Sequence, residues 1–193
     1  EDLDSIVSSF DYSRIRYYKN KENIGGRNLV AQWNKCLEYA TGEYVILASD
    51  DDIYFPEYLS KMSELVDKYP DVNVFRPRVQ LIDGNDNVIR VEGYLVEHIS
   101  SLEFMYFLQR DLISSGVPYF IFRKDALLDM GGFCQYPMAW GSDDATVMEL
   151  SKDKGIVSTT DILFSFRMSG ENITSKQNSY SVLRQKLVAR DMF

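Results

Sequence analysis

The sequence has one histidine, two cysteines and no apolar run near the roughly 18 residues that a membrane-spanning helix needs. His98, Cys36 and Cys134 lie far apart, and this spacing does not predict a zinc site. A single pair of cysteines provides no disulfide framework, so we interpret both as reduced thiols. No secretory signal pattern is present. We therefore expect a cytoplasmic protein, which could also act at the inner face of the membrane.

Basic residues are also few, with 21 Lys and Arg against 29 Asp and Glu, for a net charge of −8. Such a balance disfavours nucleic acid and anionic membranes as partners. The 193 residues are 45% hydrophobic and 26% charged, which is typical of one globular domain and excludes disorder. The aromatic share of 13% suits a large core or a sugar-facing groove equally.

Helical and apolar strand patterns alternate along the chain, which predicts an α/β domain with a largely parallel sheet. The predicted helices cover residues 2–10, 26–40, a segment opening at Pro56, 101–112, 124–130, 143–154 and 180–191. The predicted strands cover residues 14–18, 44–48, 72–82, 88–91, 119–122, 156–159 and 162–167. The joint 83–87 begins like a calcium loop but lacks the required Gly and the closing Glu, which favours a hairpin turn.

Three consecutive carboxylates, Asp50, Asp51 and Asp52, follow the predicted strand 44–48. Adjacent carboxylates repel one another unless a cation compensates them. Ligands of open α/β sheets bind beyond the carboxyl ends of strands, where oxygen ligands suit Mg²⁺ or Mn²⁺. A solvated acidic turn before the helix at Pro56 explains the triplet equally well.

A second acidic motif is Ser142-Asp143-Asp144. Ser142 is a candidate N-cap, and acids in the first helical turn are favoured by the helix dipole. The alternative is a general base held at the start of a helix. The pair of acids alone does not decide between the two.

Two further segments carry weaker signals. The turn Asn23-Ile24-Gly25-Gly26 precedes a helix and could admit a phosphate, although it matches no phosphate-binding motif. Arg167, at a strand end, has either a structural role or that of a phosphate clamp. His98 has no neighbours that suggest a catalytic triad.

In their order along the chain, these motifs resemble the family 2 glycosyltransferases, inverting nucleotide-sugar enzymes with the GT-A fold. The matching segments are Asn23 with Gly25, Trp33-Asn34, Ala40-Thr41-Gly42-Glu43-Tyr44, the apolar run 45–48, Asp50-Asp51-Asp52, Pro56, Gly131-Gly132-Phe133, Ser142-Asp143-Asp144, and Phe166-Arg167 with Ser169 and Asn172. The resemblance implies a mainly parallel sheet flanked by helices and a nucleotide-sugar donor. It also implies a glycan or lipid-linked acceptor, with Mg²⁺ or Mn²⁺ as cofactor and surface polysaccharide or glycan synthesis as the role.

The resemblance also assigns roles to the acidic residues. Asp51 takes the position of the main metal ligand, and Asp50 and Asp52 flank it, facing ribose or metal. Ser49 stands where the family has its first Asp, so the roles of the two flanking carboxylates stay open. Asp143 is the expected catalytic base, with Asp144 as the alternative.

Outside the acidic residues, the resemblance places Asn23 and Gly25 in donor binding. It places Arg167 either on the diphosphate or in support of the closing loop.

The resemblance implies that residues 1–193 form one catalytic domain that is incomplete at its N-terminal, nucleotide-binding part. The family begins with a strand–helix–strand unit of roughly 30 residues or more, expected between strands 14–18 and 44–48. This gap favours a second hypothesis, a non-catalytic fragment or binding module of the same fold. A two-carboxylate glycoside hydrolase is disfavoured, because an acidic triplet at a strand end is a metal arrangement rather than a spaced acid–base pair.

Overall fold

The computed structural model describes residues 3–10, 12–168, 184–185, 187–189 and 191. Helices α1 to α6 are Leu3–Ser8, Leu29–Tyr39, Tyr58–Lys68, Ser101–Gln109, Lys124–Asp129 and Ser142–Ser151. Strands β1 to β7 are Tyr44–Ile46, Ile53–Tyr54, Val74–Ile82, Val88–Val91, His98–Ile99, Ile121–Arg123 and Ile156–Arg167. Two 3₁₀ turns, Val117–Tyr119 and Pro137–Ala139, precede β6 and α6. In the described part of the chain, no helix has the length and apolarity needed to cross a membrane.

Side-chain caps fix where two of the helices begin. Asn28 precedes α2, and its Oδ1 accepts a hydrogen bond from the Ala31 backbone N–H at 3.0 Å. Ser100 and Glu103 form a reciprocal capping box at the start of α4. Each cap satisfies backbone N–H groups that have no partner within the helix, so both helix starts are encoded locally.

The strands form one sheet in the order β1-β6-β3-β7-β2, with β4 paired to β3 and β5 paired to β7. Strand β3 lies at the centre and is buried on both faces over most of its length. It runs parallel to β7, with Phe75 opposite Val157 and Ile82 opposite Arg167. The long β3–β7 pair therefore forms the centre of the sheet, and the shorter strands pair on either side of it.

The expectation of a mainly parallel sheet is wrong in strand direction, although the helix-flanked α/β arrangement is confirmed. Among the described strands β3–β7 is the parallel pair, and the other five pairs are antiparallel. The reason is that β6 lies between β1 and β3 and is antiparallel to both. Strands β1 and β3 therefore run the same way, as the strand–helix–strand pattern predicts, but they are not neighbours.

The predicted strand 14–18 is wrong. No described strand pairs with these residues, and side chains hold them to α2. Tyr18 stacks on Tyr39 with ring centroids 3.9 Å apart, and Arg16 donates to the Tyr39 carbonyl at 3.0 Å. Of the predicted helix 180–191, the described positions are helical and the others lie outside the described residues.

A buried ion pair lies inside the aromatic core. Arg76 of β3 and Glu92 are 1% and 2% exposed, and the Arg76 Nη2 donates to Glu92 Oε2. The guanidinium lies 5.6 Å from the Phe104 ring centroid and 5.7 Å from that of Phe120. Removing one partner would leave an uncompensated buried charge, at a cost of about 3–5 kcal/mol.

Two sequence motifs almost a hundred residues apart meet at Asn34. Its Oδ1 accepts a hydrogen bond from the Phe133 backbone N–H at 2.8 Å, and the Trp33 ring packs edge-on against Phe133. Gly132 has φ +95, and a β-carbon there would lie 2.4 Å from Asn34 Oδ1. The Gly-Gly-Phe turn is therefore fixed to α2 by a contact that only glycine permits.

We expect Gly132→Ala to destabilise the protein far more than Gly131→Ala. Both glycines have positive φ, so each substitution carries backbone strain of about 1 kcal/mol. A β-carbon at Gly131 meets no atom within 4 Å, whereas the one at Gly132 collides with Asn34. The collision should add roughly 2 kcal/mol or more, measured by denaturant unfolding. Equal losses in the two variants would contradict the proposed contact.

Candidate active site

The acidic triplet lies between β1 and β2, with Asp50 and Asp51 exposed and Asp52 partly buried. Asp52 Oδ1 accepts a hydrogen bond from the Arg167 backbone N–H at 2.9 Å. Its Oδ2 is buried and has no hydrogen-bond partner among the described residues. Burial, with a smaller contribution from the Asp51 charge, raises the pKa of Asp52 to about 6, whereas the Arg167 N–H and the neighbouring Ser49 hydroxyl lower it. One carboxylate oxygen is thus anchored by a backbone group, and the other is buried.

Arg167 ties this triplet to the β3–β4 hairpin. Its Nε donates to the Asp51 carbonyl at 2.7 Å, and its Nη1 donates to the Asp83 carbonyl at 3.1 Å. The same Nη1 lies 2.6 Å from Asp86 Oδ1. The guanidinium is therefore engaged by the acidic loop on one side and by the hairpin on the other.

The joint 83–87 is a hairpin turn, as predicted. Asp83 Oδ1 accepts from the backbone N–H groups of Asn85 and Asn87 at 2.8 and 2.9 Å. Hydrogen bonds from the Asn87 side chain and then from these backbone groups hold the pKa of Asp83 below its usual value. The turn closes on its own side chain, and this rigidity gives Arg167 a fixed partner.

The oxygen atoms of Asp51 and Asp52 fit a Mg²⁺-type site that substrate phosphates and water complete. In the described part of the chain, no three His, Cys, Asp or Glu side chains cluster to hold a metal by themselves. Mg²⁺ is commonly bound by one or two carboxylates, with substrate phosphates and water supplying the remaining ligands. The unsatisfied Asp52 oxygen next to the exposed Asp51 is a donor set of this kind.

The second acidic motif opens α6. Its N-cap is Gly141, at φ +74, and not Ser142 as the sequence suggested. The Ser142 hydroxyl instead accepts a hydrogen bond from the Tyr136 backbone N–H at 3.1 Å, across the turn that precedes the helix. Asp143 Oδ1 accepts from the Asp144 backbone N–H at 3.0 Å. Both carboxylates therefore stand in the first helical turn, without a side-chain cap before them.

The two carboxyl groups are strong candidates for proton transfer. Burial, and then the charge of Asp144, raise the pKa of Asp143. Burial also raises the pKa of Asp144, while the neighbouring Ser115 hydroxyl lowers it. Asp144 Oδ1 and Ser115 Oγ are both buried without a hydrogen-bond partner among the described residues. A carboxyl group with a raised pKa is a stronger base once ionised, which suits a general base.

Residues 114–119 lie next to Tyr54 at one end and next to Asp144 at the other. The sequence patterns did not predict a role for this segment. Tyr54, two residues after Asp52, donates its hydroxyl to the Pro118 carbonyl at 2.9 Å. At the other end of this segment, Ser115 lies beside Asp144. The only signal in the sequence was the Gly116-x-Pro118 turn pattern, which does not reveal what the segment touches.

The Asn23 turn and the closing segment stand apart from this arrangement. Asn23 Oδ1 accepts from the Gly26 backbone N–H at 2.8 Å, so its side chain closes its own turn, and Gly25 lies beside Gln32. Among the described residues, no hydrogen bond or ion pair joins Asn23 or Gly25 to either acidic centre. Ser169 and Asn172 lie outside the described residues.

The fold and the family of this chain are shown by comparison with known proteins. The family model "Glycosyl transferase family 2" matches residues 1–131. The crystal structure of S. aureus TarS 1–349 in complex with UDP-GlcNAc superposes with a TM-score of 0.69 over 98% of this chain, at 19% identity. The same TarS piece in complex with UDP gives a TM-score of 0.60 over 97% of this chain, at 18% identity. The chain has the GT-A fold and belongs to glycosyltransferase family 2.

The chain is shorter than the proteins it resembles. It spans 54% of the TarS 1–349 chain. An uncharacterized glycosyltransferase of Methanocaldococcus jannaschii is 31% identical over 77 residues, which are 40% of this chain and 26% of that protein. Family membership is therefore established on a part of the relatives' length.

We expect Asp143→Asn to stabilise the protein above neutral pH. Because the pKa of Asp143 is raised above its unfolded value near 3.8, the folded state binds this proton more tightly. The resulting stability is full below the unfolded pKa and is lost as pH rises through the folded pKa. Thermal unfolding at about pH 8 and about pH 4 should show a gain on the order of 1 kcal/mol at the higher pH only. The exposed Asp153→Asn is the matched control, and an equal gain at both pH values would contradict the assignment.

Proposed function

We propose that this protein transfers a sugar from a nucleoside-diphosphate donor to a hydroxyl acceptor, with inversion at the anomeric carbon. The observation that supports this most is that the segment 114–119 bonds Tyr54, two residues after Asp52, at one end and lies beside Asp144 at the other, within a family 2 glycosyltransferase fold. The acidic centre Asp50–Asp52 suits a cation that holds a diphosphate, and the centre Asp143–Asp144 suits a base for a hydroxyl group. TarS binds UDP-GlcNAc and UDP, which supports a nucleotide-sugar donor here.

Mg²⁺ or Mn²⁺ is the proposed cofactor, with Asp51 as its main ligand and Asp52 and Asp50 beside it. Once bound, such an ion neutralises charge on the leaving diphosphate. The Asp52 side chain is kept in place by the Arg167 backbone N–H, and its other oxygen is buried without a hydrogen bond from the part of the chain that the structure describes. The acidic net charge of the chain then no longer argues against an anionic donor.

Asp143 is the proposed base, with Asp144 as the alternative. The base accepts the proton of the acceptor hydroxyl as that oxygen attacks the anomeric carbon, on the face opposite the departing diphosphate. Partial exclusion of water around α6 raises the pKa of both carboxyl groups and increases their basicity.

Arg167 is proposed to shape the donor site rather than to contact the diphosphate. Its guanidinium is already engaged by the Asp51 and Asp83 carbonyls and by Asp86. Asn23 and Gly25 are the proposed donor contacts outside the acidic residues. A glycan or lipid-linked acceptor, a role in surface polysaccharide synthesis and a cytoplasmic location belong to the same proposal.

We expect Asp143→Asn to lower the rate of nucleotide release from UDP-sugars by about 100-fold or more, because loss of a general base has this effect. The donors are screened with Mg²⁺ or Mn²⁺, and the exposed Asp71→Asn is the control. If Asp144→Asn loses activity and Asp143→Asn does not, the base is Asp144. Unchanged turnover in both variants would reject the acid–base assignment, and no turnover in the unaltered protein would favour a binding module.

We expect Asp51→Asn and Asp52→Asn to weaken Mn²⁺ binding in the presence of UDP by about tenfold or more, a typical loss when a metal site is altered. Electron paramagnetic resonance measures free Mn²⁺ directly and requires no turnover. Asp71→Asn should bind Mn²⁺ and UDP as the unaltered protein does. Equal Mn²⁺ affinity in all of these proteins would remove the metal from the proposal.

A further inference from the structure

The buried ion pair holds one residue, Ser114, from both sides. Glu92 Oε1 accepts from the Ser114 backbone N–H at 2.5 Å and from its hydroxyl at 2.6 Å. Arg76 Nη1 donates to the Ser114 carbonyl at 3.4 Å. Both backbone groups of Ser114 are therefore bonded to charged side chains, and such bonds are stronger than neutral ones.

The ion pair is itself held in place by other contacts, so it can fix the position of Ser114. The second carboxylate oxygen, Glu92 Oε2, accepts from the Val79 backbone N–H at 3.1 Å and from Arg76. The Arg76 guanidinium also lies 5.6 and 5.7 Å from the ring centroids of Phe104 and Phe120. Movement of either side chain would leave a charge without a partner in the core, which the low local dielectric makes costly.

Ser115 follows directly and carries this constraint to the acidic pair. Its hydroxyl lies beside the Asp144 carboxyl group, and both Ser115 Oγ and Asp144 Oδ1 are buried without a hydrogen-bond partner among the described residues. Two adjacent unsatisfied polar atoms form a site for a group that can donate and accept a hydrogen bond. A hydroxyl group has this property.

We propose that Arg76 and Glu92 are positioning residues that act through Ser114 to hold the Ser115 hydroxyl against Asp144, and that Ser115 and Asp144 together bind the acceptor hydroxyl. The second half rests on the proposed function, because it assigns the acceptor to this centre. The first half concerns the protein alone. We call the arrangement of Arg76, Glu92 and Ser114 the charged clamp; it acts on Asp144 through Ser115.

The electrostatic surroundings of Asp144 make the clamp measurable. On its own helix the charged neighbour is Asp143, and Ser115 faces it from the segment 114–119. Helix α4 packs on α6, and its Glu103 is turned to Ser100 in the capping box. Loss of the Ser115 hydroxyl raises the pKa of Asp144, whereas loss of a nearby negative charge lowers it. The sign of the change therefore separates positioning by Glu92 from its direct charge effect.

The experiment is a double-mutant cycle on the pKa of Asp144, followed by carboxyl ¹³C NMR. Ser115→Ala should raise this pKa by about half to one unit, because the neighbouring hydroxyl lowers it. Glu92→Gln should raise it in the same direction, and the double variant should show no further rise, because Glu92 acts through Ser115. A lowered or unchanged pKa in Glu92→Gln, or additive effects, would overturn the clamp.

A milder variant keeps the test valid if Glu92→Gln does not fold. Ser114→Ala removes only the hydroxyl bond to Glu92 and leaves the ion pair intact. It should raise the pKa of Asp144 by a smaller amount, and Ser115→Thr, which keeps a hydroxyl, should leave the pKa near its original value. No change in Ser114→Ala would then count against the clamp.

Turnover separates the two halves of the proposal. The pKa cycle needs neither donor nor acceptor, so it decides the clamp even if no sugar transfer is found. With an active donor and water as acceptor, Ser115→Ala should lower nucleotide release by about tenfold and Ser115→Thr should restore it. If the pKa cycle gives the expected result but Ser115→Ala releases nucleotide at the unaltered rate, the clamp is supported and the proposed acceptor site is wrong.

Discussion

The buried carboxylate of Glu92 joins the central strand of the sheet to the segment 114–119. It pairs with Arg76 inside the aromatic core, and it also bonds the backbone of β3 at Val79 and that of Ser114. A buried charge tolerates little displacement, because each lost partner leaves an uncompensated group in a medium of low dielectric. This requirement locks the centre of the sheet to the segment 114–119 that lies between the two acidic centres.

The two acidic centres are built on different principles. Asp52 is anchored by a backbone N–H at the end of β7, and Arg167 from the same strand end holds the neighbouring loops. Asp143 and Asp144 are presented by the first turn of α6, and their environment is set by partial burial. The first arrangement leaves one buried carboxylate oxygen without a hydrogen bond among the described residues, and the second raises the pKa of both carboxyl groups. In the proposed function, the first centre would hold the cation and the second would supply the base for displacement at the sugar carbon.

Local chemistry explains which features were predictable. Asn28 and the Ser100–Glu103 capping box mark where α2 and α4 begin, because a cap acts within a few residues. The hairpin at Asp83 was predictable because its side chain closes its own turn. The Ser142 cap was not, because the Tyr136 backbone competes for that hydroxyl and Gly141 takes the cap position instead. The same limit applies to residues 14–18, because an apolar pattern cannot form a strand without a partner strand.

The sequence by itself determined the order of motifs, the family that they define and the positions of the acidic residues, because these depend on local spacing and residue type. Tertiary structure alone decided that β6 lies between β1 and β3, that Asn34 fixes the Gly132 turn, and that Glu92 bonds Ser114. Each of these contacts joins residues distant in the chain. Their formation depends on burial and on the pairing of polar groups in the core, which no single stretch of sequence encodes.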